Sequence, residues 1–151
     1  MAMMILGASF AYFQRFVGGD LLDMATSGSD AFARLGDLTA EQRIAHVWIT
    51  LVPDSLYPIA YGTFFAGATL YLAASTRPIL AVPALVTVVA DFSENIVQIL
   101  ALSGHENLLA AKSVLTPLKF SAFCVMFALF LACAIFALIK FARHRKIGSD
   151  E

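Results

Sequence analysis

Thr87, Asp91, Glu94, Asn95 and Gln98 recur every three or four positions within a run otherwise rich in Ala, Val, Ile and Leu. On an α-helix this spacing gathers all five within about 100° of the circumference. One stripe is polar and the rest is apolar. Two carboxyls one helical turn apart, with two amides beside them, can bind a cation, exchange a proton or act as general acid and base. A carboxylate in mid-membrane costs several kcal/mol if it meets lipid. The stripe is therefore expected to face protein or a water-filled cavity.

Partners for the stripe lie on the flanking segments. Lys112, Thr116 and Lys119 share one side of the following run, with Lys119 at a depth Glu94 can reach. Asp54, Tyr57 and Tyr61 share a face of the preceding one. Pro58 has no N–H to give the Asp54 carbonyl, and Pro117 has none for that of Ser113. Freed carbonyls at membrane depth are tolerated where they line a cavity. Lys119 is expected to be the one basic residue among Asp54, Asp91 and Glu94. A proton or a cationic ligand must then supply further positive charge. The expected site is Asp54, Tyr57, Tyr61, Asp91, Glu94, Asn95, Gln98, Thr116 and Lys119.

Three functions are compatible with these residues. A ligand-handling protein would bind a small amphipathic or cationic molecule and couple binding to protons. A structural or accessory subunit would use the same polar groups as hydrogen-bonding glue between helices. A membrane enzyme would use Asp91 or Glu94 on a lipid-soluble substrate, although no nucleophile–base pair accompanies them. No cofactor motif and no metal-ligand set is present in the sequence. His46 and His105 lie outside the apolar runs, and His46 reads as a surface histidine. Cys124 and Cys133 stand nine positions apart, roughly 13 Å along one helix, too far for a disulfide. They read as small buried hydrophobes.

The elements that must carry these residues are membrane helices. A span needs about 20 apolar residues. Candidate spans cover about 1–17, 55–74, 79–103 and 113–141. The first is short and competes with a signal peptide, but no Lys or Arg precedes Arg15 and no convincing cleavage site follows. Between the first two spans lies segment 18–53. Its opening stretch, GGDLLDMATSGSDAF, is loop-like. Thr39 and Gln42 then have capping-box spacing. Ile44, Val47, Trp48 and Leu51 follow at helical spacing, as in a short amphipathic helix with Trp48 at headgroup level. The expected fold is all-α, an integral membrane four-helix bundle with this interfacial helix between helices 1 and 2.

The composition agrees. The chain has 151 residues, 60% hydrophobic and 14% charged, against about a quarter charged in soluble domains. A net charge of -1 gives no basic field for nucleic acid. Arg77, Lys140, Arg143, Arg145 and Lys146 place both termini in the cytoplasm by the positive-inside rule, with 18–53 facing outward and 142–151 forming a basic, then acidic tail. Partners are then the lipid bilayer and, where the apolar outer surface is shared, a homo-oligomer or larger membrane complex. Gly62 and Ala66 have packing spacing, and Phe120, Phe123, Phe127 and Phe130 form an aromatic stripe.

The order D-x-x-x-P-x-x-Y-G at Asp54 to Gly62, D-x-x-E-N at Asp91 to Asn95 and T-x-x-K at Thr116 to Lys119 resembles an uncharacterised family of prokaryotic four-helix membrane proteins. The resemblance runs from about Leu38 to the basic tail. It implies location in a prokaryotic inner membrane and that these polar positions belong together. It brings no activity.

Overall fold

A computed structural model describes residues 2–74 and 77–147. The chain is helical, with no strand among the described residues. The α-helices are α1 (Ala2–Phe13), α2 (Gly28–Gly36), α3 (Ala40–Ile49), α4 (Ser55–Leu72), α5 (Val82–Leu102) and α6 (Lys112–Ile147). The side chains of Arg145 and Lys146 and the acidic end, 148–151, lie outside the described residues.

α4, α5 and α6 pack against one another, and α1 packs on α4. Tyr61, Phe65, Ala84 and Met126 form the centre of this bundle. Gly62 permits the close approach of α4 to α5, because a Cβ there would run into Val88. Phe65 meets Phe123, Phe127 and Phe130 edge-on or nearly so, so three members of the aromatic stripe are packing residues. Cys124 is exposed and Cys133 half-buried, not enclosed by the chain as expected. Both ride on the outward side of a helix that outruns its neighbours. At 1.5 Å per residue α6 is about 54 Å long and α4 about 27 Å.

Segment 18–53 is more ordered than its composition suggests. Gly18 and Gly19 turn the chain at positive φ (67° and 137°) after α1. Within the stretch read as a loop, Ser27 caps α2 by accepting from the Asp30 N–H. Local polarity hid this helix, whose Ala31 and Leu35 are buried against Leu109 and Ala101. The Thr39–Gln42 capping box is present in both directions. α3 does not end before the next span. It continues through a π-helical turn, Thr50–Asp54, directly into α4. Pro53 lies inside that turn, where the missing proline N–H makes a regular α register unfavourable. Ile44 and Trp48 are exposed and form the apolar outer face of α3, while His46 and Ile49 are buried.

Two helical stretches are long and apolar enough to cross a membrane, Pro78–Leu102 and Glu106–Arg143. α1, with 12 residues, and α4, with 18, do not meet that criterion.

Candidate functional site

The polar stripe of α5 is wholly buried: Thr87, Asp91, Glu94, Asn95 and Gln98 are each at most 6% exposed. Lys112, Thr116 and Lys119 are buried on the facing side of α6. The expected constellation therefore assembles, but it divides into two parts.

The deeper part centres on Glu94. One carboxylate oxygen, Oε1, accepts from Lys112 Nζ and, at 2.7 Å, from Thr116 Oγ1. The other, Oε2, lies 2.7 Å from Lys119 Nζ. Lys112 was expected only to share a face with Lys119, not to join the acids. It is fully buried and pairs with Glu94, so Lys119 is not the sole cation of the cluster. The reach of a flexible four-carbon stem, invisible in spacing alone, brings it in. Asn95 and Gln98 are enclosed nearby on the same stripe, with side-chain amides that reach no hydrogen-bond partner.

The second part is a cavity of about 390 Å³. Asp54, Tyr57, Tyr61, Asp91 and Lys119 line it, as does Thr87; Glu94, Asn95, Gln98 and Thr116 do not. Tyr61 donates to Asp91 Oδ2 at 2.7 Å, and Lys119 Nζ is 3.5 Å from Asp91 Oδ1. α1 contributes Gly7 and Phe10 to the lining, with Gln14 just beyond its end. Phe10, Tyr57 and Tyr61 meet edge-to-face in sequence, at 5.6 and 5.3 Å between ring centres.

Sequence reasoning missed Asp23. It comes from the short 3₁₀ turn Leu22–Met24, lines the cavity, and lies 2.7 Å from Lys119 Nζ. Its position follows from His46, read above as a surface histidine. His46 is 1% exposed, and its Nε2 accepts the Leu22 N–H at 2.8 Å. Its Nδ1 lies 3.3 Å from Thr50 Oγ1, at the start of the π turn. Accepting from a backbone amide requires the ring to be neutral at Nε2. Burial pushes the His46 pKa down to about 4. The spacing of α3 alone carried a signal: His46 falls beside Ile49, on the side opposite Ile44 and Trp48.

Carboxylate oxygens of Asp23, Asp91 and Glu94 converge within 4.8 Å of one another. The positive charge against all three is the chain's own, on Lys119. A scan of protein families, the curated proteins and the solved structures gives no match to this chain.

Proposed function

We propose that this chain is a multi-pass membrane protein that binds or transports a small amphipathic or cationic ligand in the cavity between its helices, with protons linked to occupancy. The observation that carries the reading is the charge of the cavity and its floor. Among the described residues, the buried acids Asp54, Asp91 and Glu94 face the buried cations Lys112 and Lys119, and Lys119 is shared with the part-exposed Asp23. Three buried acids against two buried lysines leave one acidic charge for a proton or a cation to offset, with Asp23 adding a further negative charge at the cavity wall, since buried charge is costly unless paired. The aromatic walls suit an apolar ligand body.

Membrane embedding supports the same reading. The most apolar stretch within Glu106–Arg143 has mean hydropathy 2.9, yet only 11% of it is buried within the chain. Such a surface needs lipid or a partner to cover it. In this reading α1, α4, α5 and α6 form a four-helix bundle in a prokaryotic inner membrane, both termini are cytoplasmic, and α3 lies at the interface.

The deeper half favours a second role for one residue. Glu94 is held between Lys112, Thr116 and Lys119, as expected of helix glue. The two readings separate in a thermal-shift screen of purified protein against amphipathic cations and neutral lipids at several pH values. Cations should raise Tm by several degrees at 100 Kd, the rise growing with pH, and Asp91→Asn should weaken the response. If no compound shifts wild type and Asp91→Asn alters only the baseline Tm, the whole cluster is glue.

A further inference from the structure

Among the acids of the cavity, Asp54 stands apart. Asp23 and Asp91 each hold Lys119, and Asp91 also accepts from Tyr61. Asp54 is 6% exposed and lines the cavity, and among the described residues no hydrogen bond or ion pair reaches its carboxylate. A carboxyl so enclosed needs a proton or a cation. Phe10, Tyr57, Tyr61, Phe120 and Phe123 line the same cavity, and aromatic faces attract cations. The chain already shows one such pairing, with Lys119 Nζ 5.6 Å from the centre of the Phe120 ring.

We propose that Asp54 is the counter-ion of a protonated organic amine, whose apolar body fills the aromatic part of the cavity. The assignment rests on the ligand-binding reading above and adds to it the chemical class of the ligand and its anchor. A cavity of about 390 Å³ lies in the lower part of the range that holds small organic molecules. A hard metal ion fits poorly, because it needs six or more oxygen ligands or a retained water shell, and the converging oxygens of Asp23, Asp91 and Glu94 already hold Lys119. Lys119 does not fill the role, since its ammonium is engaged by Asp23, Asp91 and Glu94. An N–H-bearing ammonium can donate charge-assisted hydrogen bonds to the carboxylate, which a neutral isostere cannot match.

The test is calorimetric titration of the detergent-solubilised full chain with phenethylammonium and with its neutral isostere 2-phenylethanol. Wild type should bind the ammonium at least tenfold more tightly than the alcohol. Asp54→Asn should abolish that preference and leave alcohol affinity within twofold. If Asp54→Asn keeps the preference while Asp91→Asn or Asp23→Asn removes it, the anchor is misassigned but the cavity still binds ligand. If neither probe binds, both the assignment and the reading beneath it fall. A sodium or magnesium titration whose heat depends on Asp54, with no response to the ammonium, overturns the amine class. Should Asp54→Asn not fold, infrared difference spectra of wild type decide. The ammonium must perturb a carboxyl band that the alcohol leaves unchanged, and identical difference spectra would refute the proposal.

Discussion

At the scale of single residues, the cavity depends on a histidine that never touches it. His46 accepts the Leu22 amide and thereby fixes the turn that presents Asp23 to Lys119. Its folded pKa, about 4, lies below the ordinary 6.5. As pH falls, the unfolded chain takes up this proton first. The His46 contribution is therefore complete above about pH 6.5, lost progressively towards pH 4, and constant below. A shift of this size is worth about 3 kcal/mol across that window. Carboxyls titrate there too, so the measurement is the difference in unfolding free energy between wild type and His46→Gln, whose side-chain oxygen can still accept from Leu22. That difference should shrink as pH falls from 7 to 4. A pH-independent difference would show that His46 is not buried as the neutral ring.

At the scale of elements, the π turn Thr50–Asp54 sets the phase between α3 and α4. It lets one helical run bury His46 on α3 and Asp54, Pro58 and Tyr61 further on, while Ile44 and Trp48 stay outside. Because a π turn takes up one residue more than an α turn, deleting Leu51 alone should restore an α register with the phase kept, whereas deleting both exposed residues of the turn, Leu51 and Val52, should rotate α3 by about 100° relative to α4. α4 is held by the Gly62–Val88 contact, so α3 must give way. Far-UV circular dichroism should stay near wild type. Stability should drop by about 1–3 kcal/mol as the Leu22 N–H loses its acceptor. Wild-type stability in the double deletion would mean that the phase between α3 and α4 positions nothing. The pairing of Lys112 with Glu94 also belongs to this scale, because it joins the start of α6 to the middle of α5.

At the scale of the molecule, the uneven helix lengths and the exposed apolar face of α6 suit a bilayer. Phe136, Leu138 and Phe141 are each over 60% exposed near the end of α6, with Lys140 and Arg143 among and beyond them. Such an order suits a helix leaving the hydrocarbon core on its basic side. The protein should resist alkaline carbonate extraction from membranes. Reporters fused to either terminus should both score as cytoplasmic, and a reporter inserted after Gly36 should score as external. Release by carbonate, or termini on opposite sides, would refute the four-span topology.

Much of the helical scaffold was legible in the sequence, because helical periodicity and capping are local. The α5 stripe, the facing Lys112, Thr116 and Lys119, the Thr39–Gln42 cap and the packing role of Gly62 follow from spacing and residue type. What spacing does not determine is where a long side chain ends or which segment folds over another. Lys112 reaches Glu94 through its flexible stem. Asp23 arrives from a polar stretch, tens of residues from its partner Lys119, through a turn fixed by His46. The π turn and α2 were hidden because a proline and a polar composition read locally as a break and a loop. The polar stripe was determined by sequence alone. Its division into a lysine-paired Glu94 centre and a cavity where Asp54 meets no partner among the described residues was decided by tertiary packing, since only folding sets which charges meet and which are left facing open space.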